Sequence, residues 1–358
     1  MSKNLYVDFH VLQTLPPSCV NRDDTGSPKT AVFGGKTRAR VSSQAWKRAM
    51  RLMFNDIFTE EQIGYRTRNI KKLLVKRLLE QDTSLDAETA NNLADTVMKQ
   101  AQIKSDENKK DVLFFISEMQ IRALAKTALD LRDNKSMKEK DFGKAYNAAL
   151  MEKPSIDLVL FGRMAANDPS LNYDACAQVA HAISTHAVSN EYDYFTAVDD
   201  FSDDKNSGAG HLGTVEYNSS TLYRYATVNV REMSKHLNKE EVCTAIRGFA
   251  EAFIKSMPTG KQNTFANRTL PDMVYVTIRI DQPVNMANAF ERAIPAGENG
   301  YLAGSKAALA RYAENLYDTW TDKPLYSWCI GASDNQLGDD VNYHEMLDLL
   351  ENNVKDLI

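Results

Sequence analysis

The chain has 358 residues, of which 43% are hydrophobic and 25% charged, with a formal net charge of −5. That balance belongs to a folded globular protein and excludes a disordered chain, a coiled coil and a collagen-like polymer. No apolar run approaches the roughly 20 residues of a membrane helix, and the polar start Met1-Ser2-Lys3-Asn4 lacks a signal-peptide apolar region, so a soluble, cytoplasmic protein is expected. Cys19, Cys176, Cys243 and Cys329 lie far apart with no Cys-x-x-Cys, which suits isolated thiols in a reducing compartment and neither a zinc finger nor a disulfide scaffold.

In chain order, residues 4–13 alternate as a strand, with Leu5, Val7, Phe9 and Val11 on one face and Tyr6, Asp8, His10 and Leu12 on the other. Pro16, Pro17, Gly26 and Pro28 then predict a loop. Ser42 or Ser43 caps a helix to about Phe58, whose buried stripe is Trp46, Met50, Met53 and Ile57. Residues 60–190 read as mainly helical, with segments near 68–80, 86–102, 110–132 and 174–188, interrupted by a strand-like apolar piece from Ile156 to Phe161. Tyr192 to Ser220 reads as a polar hairpin with a Gly-rich tip at 207–210. Strands follow around 222–230 and 274–280, and helices through Val242, Ile246, Phe249 and Phe253 and near 305–320. This order suits an α+β fold of the ferredoxin-like or RRM type with a helical insertion after its first helix.

Charge is distributed unevenly. Between Asp24 and Asp56 lie seven basic residues (Lys29, Lys36, Arg38, Arg40, Lys47, Arg48 and Arg51) and no acidic one, so a +7 segment sits in a chain whose remainder carries −12. A local polyanion site on an otherwise acidic surface is the favoured reading. A second basic run, Arg66, Arg68, Lys71, Lys72, Lys76 and Arg77, fits a polyanion site or a solvated helix face equally well. In the first run, Phe33-Gly34-Gly35-Lys36 allows close backbone approach to a ligand, and the helix start at Ser42-Ser43-Gln44 offers N–H groups and a positive dipole end to phosphate oxygens. Gln44, Lys47 and Arg51 share a face opposite Trp46 and Met50. The spacing is not that of a Walker A loop, which favours a nucleic-acid backbone over a nucleoside triphosphate.

Other candidates are weaker. On a helix His181 and His186 would point about 140° apart and share no metal, and both read as satisfied structural histidines. Asp199, Asp200, Asp203 and Asp204 have no EF-hand spacing and read as loop carboxylates. Asn21-Arg22-Asp23-Asp24 suits an Asx-type turn that holds Arg22, or a divalent-ion site. Tyr194-Phe195, in the polar hairpin, suits stacking against bases or a small cluster pinning the hairpin base.

Together these residues resemble a known family. Pro17-Ser18-Cys19, Asn21-Arg22-Asp23-Asp24, Phe33-Gly34-Gly35-Lys36, Arg40-Val41-Ser42-Ser43-Gln44 and Lys47-Arg48-Ala49-Met50-Arg51 carry the resemblance early in the chain. Gly162-Arg163-Met164-Ala165, His181-Ala182-Ile183-Ser184-Thr185-His186, Phe195-Thr196-Ala197-Val198-Asp199-Asp200, His211-Leu212-Gly213-Thr214 and Met286-Ala287-Asn288-Ala289-Phe290-Glu291 carry it later. The chain resembles the repeated backbone subunit of the type I-E CRISPR surveillance complex, the CasC-type subunit of Cascade.

The resemblance implies a modified RRM palm (1–59 and 222–358), helical fingers (60–190, with a strand at 155–165 returning to the palm) and a β-hairpin thumb (191–221). It implies copies polymerising along the spacer of a CRISPR RNA, with other Cascade subunits and target DNA as partners, no membrane, no cofactor, no metal and no catalytic residue. Arg22, Lys29, Lys36, Arg38, Arg40, Ser42, Gln44, Lys47, Arg51, Arg163, Met164 and Lys261 are then the expected RNA-binding residues, and Tyr194, Phe195 and Leu212 the thumb wedge. Tyr194 stands where relatives often carry Trp, and Asn263 where a basic residue is common. Fingers lysines of relatives attract DNA, for which Lys135, Lys138, Lys140 and Lys144 are the counterparts here. The alternative is a metal-dependent ribonuclease using Asp23 or Asp24.

Overall fold

The computed structural model describes residues 4–103, 113–133, 139–164, 169–196, 212–332 and 337–358. Its strands are β1 (Tyr6–Ser18), β2 (Thr30–Phe33), β3 (Lys36–Val41), β4 (Gly64–Thr67), β5 (Phe114–Ser117), β6 (Ala177–Val179), β7 (Ala182–Ser184), β8 (Glu191–Thr196), β9 (Leu212–Asn229), β10 (Met273–Arg279), β11 (Tyr326–Ile330) and β12 (Asp339–Asp340). The first helix, α1, spans Ser43–Ile57. The chain divides into two compact units, one of residues 1–51, 179–228 and 249–357, the other of 52–178, 229–248 and 358.

The first unit is an α+β layer structure on a mixed sheet, ordered β12-β11-β10-β1-β9-β7-β3-β2, from which β8 pairs with β9. β1 lies inside it, antiparallel to β10 from Tyr6↔Arg279 to Leu12↔Met273. Both faces of β1 are covered. Val7, Phe9 and Val11 are fully buried, and the Phe9 ring lies 5.4 Å from that of Phe249 and 5.9 Å from that of Phe253. On the other face, Leu12, Tyr223, Tyr225 and Tyr275 share a core with Leu309, Ala310 and Ala313 of the helix Leu302–Thr319.

That second face also buries Asp8 and His10. The Tyr225 hydroxyl donates to Asp8 Oδ1 at 3.1 Å and the Val284 N–H to Asp8 Oδ2 at 2.8 Å, while His10 Nδ1 pairs with the Tyr223 hydroxyl at 2.8 Å. Burial outweighs these bonds for Asp8 and pushes its pKa up to about 6. Burial, with the Arg279 charge, takes His10 down to about 3.

The second unit packs the helices Ile70–Gln81, Ala87–Gln100, Glu118–Asp133 and Glu139–Met151 beside the small antiparallel pair β4–β5. Its core includes Leu74, Leu78, Ala94, Val97, Leu124 and Leu150. Buried Glu118 accepts from Arg77 Nε at 2.7 Å and Arg122 Nε at 2.8 Å. Burial alone would raise its pKa, but these two arginines hold it below the usual carboxylate range. Arg77, part of the second basic run, is therefore an internal ion-pair partner.

Several sequence expectations are corrected. Ile156–Phe161 is a helix within the second unit and no strand returning to a palm: Ser155 precedes it in an extended conformation, Asp157 stands in its first turn, and Gly162 ends it at φ +75°. Six residues, five of them apolar, are too few for a periodicity that separates the two readings. The helix expected near 174–188 is instead β6 and β7, and residues 179–190 of the expected helical block belong to the sheet unit. β1 continues through Pro16 and Pro17 to Ser18. The segment expected as a helix near 110–132 opens with β5. Beyond residue 320, where no element was expected, lie β11, β12 and the helix Tyr343–Leu357.

Asp8 generates a pH prediction. A carboxyl whose folded pKa exceeds its unfolded value contributes stability below about pH 3.8, and that contribution is lost as pH rises through about 6. Asp8→Asn should therefore gain stability over wild type at pH 8, by up to roughly 3 kcal/mol at about 1.4 kcal/mol per pKa unit, and the gain should fade by pH 4. Urea unfolding of both proteins across this range checks it; a pH-independent difference would contradict it.

Candidate nucleic-acid interface

The loop that leaves β1 is built around one carboxylate. Asp23 Oδ1 accepts from the Thr25 hydroxyl at 2.7 Å, the Thr25 N–H at 3.0 Å and the Ser27 N–H at 3.0 Å. These bonds, led by the Thr25 hydroxyl, hold its pKa below the usual range. Arg22 bridges to Pro28, and the Lys29 N–H closes the loop on the Asn21 carbonyl at 2.8 Å. Arg22 is thereby fixed on the surface. Beneath it lies the Cys19 thiol, whose pKa burial raises and the charges of Arg22 and Lys261 pull back, which places Lys261 beside the same loop. Lys261 adopts φ +51°, and a Cβ on Gly260 would stand 2.1 Å from the Val20 carbonyl oxygen.

β2 and β3 form a hairpin turned at Gly34 and Gly35, with φ +58° and +70°. A Cβ on Gly34 would lie 1.7 Å from the Glu291 carbonyl oxygen. The two glycines thus serve a tight turn and the close approach of the chain's own backbone, where the sequence suggested approach of a ligand.

Lys36, Arg38 and Arg40 alternate onto one side of β3, but the side is covered at its middle. Lys36 is exposed and Arg40 half-buried. Arg38 is fully buried, and its guanidinium donates to the carbonyls of Ser184 (2.9 Å), Phe290 (2.9 Å) and Glu291 (3.1 Å). Arg38 is an internal pin, which corrects its assignment to the RNA-binding set.

α1 begins against the same loop. The Ser42 N–H donates to Asn21 Oδ1 at 2.8 Å, the Ser43 N–H to His181 Nδ1 at 2.9 Å and the Ala45 N–H to Ser42 Oγ at 3.2 Å. Three of the helix's first four donors are thus occupied, so the expected open helix start is closed by the chain's own side chains. Ser42 is buried as the cap. Gln44 is exposed, and Lys47 and Arg51 are half-buried along the helix with Trp46 and Met50 inward. Burial lowers the Lys47 pKa.

In the β8–β9 arm, Tyr194 pairs with Thr214 and Phe195 with Gly213. Tyr194 is 60% exposed and Phe195 44%. The Phe195 ring lies across Gly213, where a Cβ would come within 2.4 Å of it. Leu212 pairs with Thr196; its side chain lies outside the described residues, as do that of Lys140, the residues Lys135 and Lys138, the glycine tip at 207–210, and Asp199, Asp200, Asp203 and Asp204.

In the second unit Met164 is 80% exposed, while its neighbour Arg163 is buried. Arg163 Nε donates to the Leu171 carbonyl at 2.9 Å and Nη1 to the Phe115 carbonyl at 3.2 Å. The guanidinium lies 5.0 Å from each of the Phe114 and Tyr173 rings, and burial takes its pKa down to about 10. Arg163 is therefore a core residue, correcting a second RNA-binding assignment; its burial fixes the backbone from which Met164 projects.

The sequence reading gave Asn21 to a turn and set His181 aside, whereas their side chains accept from the first N–H groups of α1; it did not single out Arg224, whose guanidinium lies 3.7 Å from the centroid of the Trp46 ring on that helix. His181 and His186 do not lie on a helix; His186 is buried, stacked on Tyr301 at 3.6 Å. Among the described residues, no three His, Cys, Asp or Glu side chains group in a way that would hold a metal ion.

A family model described as CT1975-like protein matches residues 7–353. No curated protein matches. Among solved structures, a chain of a "CRISPR RNA-guided surveillance complex, pre-nicking" is 35% identical with a TM-score of 0.84, over 98% of this chain and 100% of that one. A chain of a "CRISPR RNA-guided surveillance complex" is 29% identical with a TM-score of 0.64, over 97% and 99%.

The separation of buried from exposed cations is testable by stability alone. Arg38→Met and Arg163→Met should each lower Tm by several degrees, because each leaves buried carbonyls unpaired at about 1–3 kcal/mol apiece, whereas Lys36→Ala should leave Tm within about a degree. Equal melting of Arg38→Met and wild type would contradict the burial.

Proposed function

The chain belongs to the CT1975-like protein family, and from that premise we propose that it is a CRISPR-RNA-binding backbone subunit of a type I-E Cascade surveillance complex. In this reading its sheet unit is a modified RRM palm, the second unit contributes the fingers and the β8–β9 arm is the thumb. Copies polymerise along the guide spacer in the cytoplasm, beside other Cascade subunits, and present the guide to complementary target DNA. Support comes from the two surveillance-complex chains that this one resembles over nearly its whole length.

The observation that carries the reading is the surface around the start of α1. Arg22, Lys29, Lys36, Arg40, Lys47 and Arg51 stand exposed or half-buried there and along the adjoining hairpin and helix, with Gln44 among them, in a chain of net charge −5. Cations interspersed with neutral donors on rigid elements suit a phosphodiester backbone, and they read no sequence. Guide bases are then left for pairing with the target. Tyr194 and Phe195 on the arm, and Met164, have the exposed apolar surface a wedge between bases requires.

The subunit is proposed to be non-catalytic. The ribonuclease alternative would need Asp23 or Asp24 to bind a metal ion, and three hydrogen bonds within the loop engage Asp23 Oδ1. Guide RNA incubated with Mg²⁺ should stay intact with wild type and with Asp24→Ala; cleavage by wild type alone would establish the alternative.

RNA affinity should fall with salt, with a slope of about −0.7 per neutralised phosphate. A Lys29→Ala, Lys47→Ala double variant should bind more weakly and lose about 1.4 from the slope's magnitude. A wild-type slope in that variant would remove these lysines from the interface.

A further inference from the structure

His181 was expected to be a satisfied structural histidine, and half of its ring is one. The register Val41↔Ala182 and Arg40↔Ile183 sets the start of β7 against the end of β3. His181, one residue before β7, therefore falls opposite Ser42, where α1 begins. Its Nδ1 accepts the Ser43 N–H at 2.9 Å. An imidazole nitrogen that accepts a hydrogen bond carries no proton, so the neutral ring bears its hydrogen on Nε2. That Nε2–H has no hydrogen-bond partner among the described residues, and the residue is exposed.

The surroundings are cationic. The Arg40 N–H donates to the Lys29 carbonyl at 2.9 Å, which holds these two residues side by side on adjoining backbone. Burial, then the charges of Arg40 and Lys29, keep the imidazole below its usual pKa, so the neutral tautomer prevails at physiological pH. An exposed neutral donor beside two cations, oriented through its other nitrogen by a helix N–H, has the form of a ligand for one anionic oxygen. No carboxylate among the described residues is hydrogen-bonded to it.

We propose that His181 is a further RNA-backbone ligand of this surface, offering its Nε2–H to a phosphodiester oxygen that Lys29 and Arg40 neutralise. The assignment rests on the RNA-binding reading above. The same contact makes His181 a positioning residue, because the ring that touches RNA also occupies the first turn of α1, on which Lys47 stands. A neutral donor adds affinity without releasing a counterion, so its removal weakens binding and leaves the salt slope unchanged, whereas removal of a lysine lowers the slope.

The test is RNA affinity against salt for the full chain. His181→Asn keeps an acceptor near the Ser43 N–H but withdraws the donor at the Nε2 position; it should melt as wild type does and bind RNA about tenfold more weakly at an unchanged slope. His181→Gln restores a donor near Nε2 without the cap, and should melt lower yet, while folded, bind RNA better than His181→Asn. Wild-type affinity in His181→Asn would reduce His181 to a helix cap and overturn the inference. A slope smaller by about 0.7 in His181→Asn would mean a charged imidazolium contact and would overturn it too. Absence of RNA binding by wild type would defeat the RNA-binding reading itself, an outcome distinct from either.

Discussion

Arg224 rises from β9 into the layer between the sheet and α1, and its guanidinium lies over the Trp46 ring at 3.7 Å from the centroid. Nη1 donates to Gln13 Oε1 at 2.6 Å on β1, and Nη2 donates to the Phe253 carbonyl. One side chain thus ties β1, β9, α1 and the helix Lys239–Lys255 together. Burial takes its pKa down to about 9, so the charge is costly where it sits, and it persists because hydrogen bonds and an aromatic face replace its water. The position of α1 depends on this contact, and with it the positions of Gln44, Lys47 and Arg51.

The same economy of arginines recurs. Arg38 and Arg163, like Arg224, turn inward onto carbonyls, and each immobilises a stretch of backbone that carries an outward-facing group nearby: Lys36 and Arg40 beside Arg38, Met164 beside Arg163. An arginine is suited to this because its planar fork satisfies several carbonyls at once. The lysines of the first basic run, with their compact charges on flexible stems, remain on or near the surface. In this chain the basic segment is therefore two populations, one buried and structural, the other on or near the surface.

This division explains what was legible in the sequence. β1, α1, β10 and the helices through Phe249 and Leu309 follow from hydrophobic periodicity, because each packs one or both faces against a continuous core. The cluster of exposed and half-buried cations around the start of α1 was also legible, since a seven-cation stretch without an acid is a strong local signal. The burial of Arg38 did not: Lys36, Arg38 and Arg40 alternate onto one side of β3, and only the segment at Phe290 and Glu291, some 250 residues on, decides which of them is covered. His181 was hidden for the opposite reason. A local helical pattern was read across residues 174–188, whereas pairing of β7 with β3 and β9 fixes a strand there and carries His181 to the start of α1. Ile156–Phe161 was misread because six residues, five of them apolar, fit a buried strand and a short helix alike, and the deciding cues, Ser155 and Gly162, lie at the segment's ends.

The measurement that addresses the central claim most directly is the nucleic acid carried by the purified protein. The chain would be co-expressed with its partner subunits and a CRISPR array, isolated in moderate salt, and examined by absorbance at 260 and 280 nm and by gel. The account predicts one discrete RNA species in a large particle. A clean monomer free of nucleic acid, under conditions where the partner subunits are present and folded, would contradict it.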